Sequence, residues 1–275
     1  MINKKKGFTL VELLVVIAII ALLLSILMPS LTKVRRQAKS VVCLSNLKQW
    51  GVAFSMYTND NNGKNYCYFP PNLNGPAPDP NWDDNLKRTA IAVLKPYYSD
   101  YRLAMCPAAI VNGPGGSYCM KTAPEGCRGL PGGVAIAYGE NLWATSPSKD
   151  IPGGELAPKN FWNTMGVKGS ENIPKFMDAA NPYMFPSSED RPAKDGKIAT
   201  IFDSPPAPLR YPCLDRHGGG AGYINVLFLD GTARKVGLKQ LWKFKWSGIF
   251  DTQNDYATGK HAFPGWMRNF KSNLN

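Results

Sequence analysis

The run from Phe8 to Met28 spans 21 residues and carries only three polar side chains, Thr9, Glu12 and Ser25. As an α-helix rising 1.5 Å per residue it is about 31 Å long, the thickness of a bilayer's hydrocarbon core. Lys4, Lys5 and Lys6 precede it, and a basic cluster of that kind stays cytoplasmic, directing the chain beyond the span outward. The mean hydropathy of the chain is only −0.24. No second stretch is comparably apolar, which excludes a polytopic membrane protein. With 44% hydrophobic and 19% charged residues among 275, the remainder can bury a core and is not a disordered tail. Gly (26) and Pro (23) together exceed the usual share of roughly 12%, so the region beyond the helix should be rich in loops.

The order of parts at the N-terminus is unusual. A secretory signal peptide closes its apolar core with a small-residue cleavage site. Here the small residue, Gly7, stands before the apolar run, so cleavage at that point leaves the hydrophobic helix on the mature chain. Glu12 is the second anomaly. An ionised side chain at the centre of a membrane helix costs about 2.5–3.5 kcal/mol, and less near its end. A glutamate reaching to the interface is the plain alternative. If the chain begins at Phe8, a new α-amino group lies four residues from Glu12. A neighbouring subunit's amine could then neutralise the carboxylate within a helical bundle.

Gly7-Phe8-Thr9-Leu10-Val11-Glu12, with the apolar run behind it, resembles the class III leader of type IV pilins and type II secretion pseudopilins. The resemblance implies cleavage after Gly7 by prepilin peptidase, N-methylation of Phe8 and subunit docking through Glu12. Pro29 matches the position where such helices kink or melt, as proline chemistry explains. The implied protein is not an enzyme but a structural subunit of a type IV pilus-like extracellular filament, polymerising through its N-terminal helix. The alternative is a pseudopilin of a type II secretion system, forming a short periplasmic pseudopilus. The implied partners are copies of itself, the peptidase, and an inner-membrane assembly platform with its ATPase. Before assembly the chain would sit in the inner membrane with its head outside the cytoplasm; after assembly it would be in a cell-surface filament or a periplasmic pseudopilus.

This reading divides the chain into four segments: a leader at 1–7, a membrane or filament-core helix at 8–29, an amphipathic continuation at 30–58 and a head at 59–275. The continuation rests on Leu31, Val34, Ala38, Val41, Leu44, Leu47, Gly51, Phe54 and Tyr57, which recur at three- and four-residue steps. The polar cluster Thr58–Gly63 ends it. Thr58, Asp60 and Asn62 before Gly63 resemble the start of a calcium loop without its closing glutamate, and a helix C-terminal turn is the commoner reading. Asp251, Gln253 and Asp255 form a second thin calcium candidate. A proline-rich connector is expected at 66–82, a short helix at 83–94 stopped by Pro96, and strands at 133–138 and 197–202. The expected fold is α+β, a long N-terminal helix packed on a loop-rich head with a small antiparallel β-sheet.

The clearest strand signal is the pair Tyr223–Leu229 and Thr232–Val236, separated by Asp230-Gly231, a preferred two-residue hairpin turn. Leu238–Trp246 interleaves lysines with aromatics, as a short helix or tail packed on the sheet. The six cysteines include no C-x-x-C pair, which argues against zinc ribbons and redox motifs. Export makes disulfides the default, with Cys119 and Cys127 the nearest local pair. The net charge of +12 admits nucleic acid or anionic surfaces as partners, but no motif supports them. His217, before a run of glycines, reads most simply as a hydrogen-bonded structural group. Together with Asp230-Gly231 it resembles the His…Asp-Gly signature of a large prepilin-like family, whose members share a stretch like Cys43-Leu44-Ser45-Asn46-Leu47-Lys48-Gln49.

Overall fold

A computed structural model describes residues 9–67, 90–111, 116–117, 137–147, 157–179, 183–192, 208–210, 212, 216–217 and 221–270. The chain divides into two compact units, Met1–Ala38 and Lys39–Asn275. Helix α1, Leu10–Asp60, has Pro29 inside it. In the first unit its large apolar side chains, Leu10 through Val34, are exposed. In the second unit one face is buried: Ser40, Cys43, Leu47, Trp50, Gly51, Ala53, Phe54 and Thr58, a stripe at three- and four-residue steps.

That stripe corrects the expected one in its first turns. Leu31, Val34 and Val41 are exposed, and Ser40 and Cys43 lie inward, because each meets a polar partner from the head. Asn225 Nδ2 donates to Ser40 O at 3.1 Å, and the Cys43 thiol donates to Asp178 Oδ1 at 3.4 Å. Further along, Leu47, Gly51 and Phe54 are buried as expected. The helix ends where Asn62 (φ 57°) and Gly63 (φ 76°) adopt left-handed backbone, and Gly63 N donates back to Thr58 O at 2.7 Å. This is the Schellman pattern of a helix C-terminus.

The head is built on a five-stranded mixed sheet in the order β5-β3-β4-β6-β7. Its strands are β3 Tyr138–Asn141, β4 Pro174–Asp178, β5 Tyr183–Met184, β6 Tyr223–Phe228 and β7 Ala233–Gly237. A separate two-residue pair, β1 Ile110–Val111 with β2 Gly116–Ser117, is parallel. The five-stranded sheet is antiparallel except where β5 runs parallel to β3, so the α+β architecture stands with a larger, mixed sheet. Successive residues of a strand face opposite sides. Ile224, Val226 and Phe228 of β6 pack with Met177, Trp242 and Trp246, while Leu227 packs with Leu47, Trp50 and Phe54 of α1. Gly51 permits a close approach, since a Cβ there would lie 2.9 Å from Leu227 Cδ1.

The 223–236 hairpin forms, but with a three-residue connection. Phe228 N donates to Thr232 O at 2.8 Å and Gly231 N to Phe228 O at 3.0 Å, enclosing Leu229, Asp230 and Gly231. Only Gly231 (φ 84°) has positive φ among them, the geometry of a type I turn closed by a left-handed residue, whereas the two-residue I′ turn needs two. Of the expected helix at 83–94, the described end is α2, Ala90–Val93, succeeded by a 3₁₀ turn Lys95–Tyr97 containing Pro96. Leu238–Lys243 is a 3₁₀ helix; Trp242, Phe244 and Trp246 are buried, and Lys243 and Lys245 are exposed. Strand β3 begins at Tyr138, where the expected 133–138 strand ends. The rest of that strand before residue 137, the 197–202 strand, and the connector beyond Cys67 lie outside the described residues.

Candidate functional site

At the start of α1, Thr9 N and Thr9 Oγ1 both donate to Glu12 Oε2 at 2.8 Å, and Glu12 N donates to Thr9 Oγ1 at 3.3 Å. This is a capping box, in which a threonine and a glutamate three residues on satisfy two otherwise unpaired helix N–H groups. The sequence pattern Thr-x-x-Glu carries that signal, and reading Glu12 for docking alone misses it. Beyond the box, Leu13, Leu14, Ile17, Ile20, Leu24 and Leu27 are exposed, so the helix is apolar on all sides.

The second site lies inside the head. Cys43 of α1, Cys106 after the 3₁₀ turn Tyr101–Ala104, Asp178 at the end of β4 and His217 before β6 place one ligand-type atom each within 4.8 Å of all the others. All four are buried. Cys106 Sγ lies 3.3 Å from His217 Nε2, and the same nitrogen lies 3.1 Å from Asp178 Oδ2. The Tyr138 hydroxyl donates to Cys43 Sγ at 3.4 Å. Asp178 is held from behind: Asn225 N donates to Oδ2 at 2.8 Å and Arg216 Nη1 to Oδ1 at 3.2 Å. Arg216 Nη1 also donates to Ala137 O at 2.6 Å.

The electrostatics arise from burial and these contacts. Burial pushes the Cys43 thiol up, and its hydrogen bond to Cys106 adds to the rise. At Cys106 and His217 burial opposes the charged form and is outweighed. Hydrogen bonds from Cys43 and His217 bring the Cys106 thiol down, and those to Asp178 and Cys106 raise His217 to about 9. The Asp178 carboxyl stays below its ordinary range, because His217 and Arg216 outweigh its burial. The cluster is not a cysteine–histidine–aspartate relay. Such a relay places nucleophile and carboxylate on opposite imidazole nitrogens. Here both meet Nε2, and Nδ1 finds no partner among the described residues. The His217 and Asp178 side chains are 0% exposed.

Residues 2–28 match the family described as the prokaryotic N-terminal methylation motif. Over 57 residues the chain is 47% identical to the type IV wide pilus major component PilA4 of Thermus thermophilus. In its N-terminal stretch the chain is similar to type IV pilins and pseudopilins. The aligned stretch covers 21% of this chain and 44% of that relative, less than half the relative's length. No solved structure matches the chain.

The remaining expected site residues have other surroundings. Gly7, Phe8, Cys119 and Cys127 lie outside the described residues. His217 and Asp230 are not partners: His217 faces Asp178, while Asp230 Oδ1 accepts from Thr232 N at 2.9 Å within the hairpin turn. The calcium candidates each have a local structural role. Asp60 accepts from the Tyr97 hydroxyl at 2.9 Å, Asn62 ends α1, and Asp251 Oδ1 accepts from Gln253 N at 2.8 Å. Asp255, which opens the short helix α3 Asp255–Thr258, lies 3.1 Å from His261 Nδ1. Asp178, Cys106 and Arg216 are the site residues that sequence reasoning misses. No motif spacing marks them, since they meet Cys43 and His217 only through the fold.

Proposed function

We propose that this chain is a structural subunit of a type IV pilus-like filament, inserted in the inner membrane before assembly and polymerised through α1 afterwards. The observation that carries the reading is the exposed apolar surface of Leu10–Met28 behind a leader that matches the methylation motif. A helix apolar on all sides belongs in a membrane or a helix bundle. The name of the Thermus relative favours a pilus over a short periplasmic pseudopilus. Processing is by cleavage after Gly7, with prepilin peptidase and an assembly platform with its ATPase as partners.

The test is electron microscopy of material sheared from cells that make the protein, with intact-mass spectrometry of the subunit. Long fibres composed mainly of a chain starting at methylated Phe8 are expected. In Gly7→Leu cells the lysine-bearing precursor should persist in the membrane and the fibres should vanish. A processed chain that never enters the sheared fraction, yet crosslinks to itself in the periplasm, would replace the pilus with a pseudopilus.

A further inference from the structure

We infer that Cys43, Cys106, Asp178 and His217 form a structural zinc site that fastens helix α1 to the head, whether or not the chain polymerises. Zinc prefers four tetrahedral ligands drawn from thiolate, imidazole and carboxylate, at about 2.3 Å to sulfur, 2.0–2.1 Å to nitrogen and 2.0–2.2 Å to oxygen. Such a tetrahedron has ligand–ligand edges of roughly 3.3–3.8 Å by the same bond lengths. With Asp178 Oδ2 as the carboxylate ligand, the edges here are 3.8 Å from Cys43 Sγ to Oδ2, 3.3 Å from Cys106 Sγ to His217 Nε2, and 3.1 Å from His217 Nε2 to Oδ2. No two of the four ligand atoms lie farther apart than 4.8 Å.

The convergence on a single imidazole nitrogen supports a shared central partner. One Nε2 hydrogen cannot serve Cys106 and Asp178 well at once, whereas an Nε2 lone pair and its neighbours can all face one cation. Charge also closes. Two thiolates and one carboxylate balance one Zn²⁺ and the Arg216 guanidinium, which is buried against Asp178, so no net charge is left in the core. Ligation needs both sulfurs as thiolates and a bare Nε2 lone pair, so whatever protons Cys43, Cys106 and His217 Nε2 carry leave to solvent as the ion enters. The Tyr138 hydroxyl on Cys43, and Arg216 and Asn225 on Asp178, supply the outer hydrogen bonds that orient ligands at metal sites. Two thiols, a nitrogen and an oxygen suit zinc better than calcium or magnesium, which take oxygen ligands. A Cys43–Cys106 disulfide is the competing use of these thiols, and it would leave His217 Nε2 and Asp178 facing an apolar bond.

The four ligands come from chain positions 43, 106, 178 and 217, so one ion would tie α1 to three separate segments of the head. The test uses the full chain in detergent, reduced, stripped with a chelator and reloaded with Zn²⁺ or Co²⁺. About one equivalent of zinc is expected per chain. The cobalt form should show sulfur-to-cobalt charge transfer in the near ultraviolet and tetrahedral ligand-field bands in the visible. Both should be lost in the double variant Cys43→Ser, Cys106→Ser. Tyr138→Phe should keep the spectrum with an affinity loss on the order of 10–100-fold. A wild-type chain that takes up no metal would overturn the proposal, and it needs no variant to fold. So would thiolate-to-cobalt bands that survive in the double variant, or a Cys43–Cys106 disulfide in peptide maps of the chain isolated unreduced from cells.

Discussion

Helix α1 presents two opposite surfaces along its length. From Leu10 to Val34 its large apolar side chains point outward; from Ser40 to Thr58 it covers a core in which polar and ionised groups are buried. Cys43 touches Asp178, Ser40 O accepts from Asn225, and the Phe54 ring lies 4.6 Å from Lys175 Nζ. Uniformly apolar surroundings ask nothing of a side chain except that it be apolar, so the first half reads directly as a hydrophobic run. The second half meets a different neighbour at each turn. Its side chains are matched to those neighbours one by one, including residues that a hydrophobicity pattern places outside.

The buried charge beneath the second half offers the largest test of this contrast. Lys175 is fully buried, 2.6 Å from Glu140 Oε1, and donates to Ala144 O at 2.7 Å. It stands among the rings of Phe54, Tyr66 and Phe176, and the Tyr66 hydroxyl donates to Glu140. A register shift in β4 between Pro174 and Phe176 re-aims the strand here, as bulges do. Burial lowers the Lys175 pKa, and Glu140 opposes that fall. Removing one partner of a buried ion pair costs about 3–5 kcal/mol, because the other charge is left uncompensated. Lys175→Met is therefore expected to lower head stability by that amount in denaturant unfolding. Lys175→Met with Glu140→Gln should recover much of the loss. Equal losses in the single and double variants would mean that packing, not charge pairing, sets the energy here.

Truncating one leucine in each half compares the two surfaces directly. Leu47 is fully buried against the sheet, while Leu23 is 55% exposed. Leu47→Ala should cost about 2–5 kcal/mol of head stability through lost burial and the cavity left behind. Leu23→Ala should stay within about 0.5 kcal/mol in the detergent-solubilised subunit. Its effect is expected instead in the proposed filament, where neighbouring helices would cover that surface. Equal head destabilisation by both substitutions would break the comparison.

The same contrast explains which features are legible in the sequence. The apolar run, the Tyr223–Val236 hairpin and the burial of Trp242 and Trp246 all carry local patterns: length, period two around an Asp-Gly turn, and aromatics between lysines. Ser40 and Cys43 carry none, because their partners Asn225 and Asp178 lie 185 and 135 residues away. A periodicity reading moves Val41 inward in their place. Strand β4, Pro-Lys-Phe-Met-Asp, escapes a sequence reading because it opens on proline and holds two charges; both are buried and matched, Lys175 to Glu140 and Asp178 to His217 and Arg216. The third residue of the hairpin loop is equally hidden, since Asp-Gly marks a turn without stating its length. The candidate site is half legible. His217 and Cys43 stand within resembled signatures, but the group that joins them, Asp178, has no signal outside the fold.

The smallest energetic effect belongs to the start of α1, and it separates two roles that one residue combines. Glu12 caps the helix through Thr9 and, in the proposed filament, offers a negative charge to the Phe8 amine of a neighbour. A capping box accepts glutamine in place of glutamate, so Glu12→Gln keeps the cap and removes the charge, while Glu12→Ala removes both. Hydrogen exchange at Thr9 in the detergent-solubilised subunit should be nearly unchanged in the glutamine variant and faster in the alanine variant. Membrane insertion should be eased in both, since an intramembrane carboxylate is lost, and cleavage after Gly7 should persist. Filaments should be absent in both, because an unpaired amine in an apolar bundle is costly whichever neutral residue faces it. Normal fibres from Glu12→Gln with none from Glu12→Ala would assign assembly to the helix cap and remove the docking charge from the mechanism.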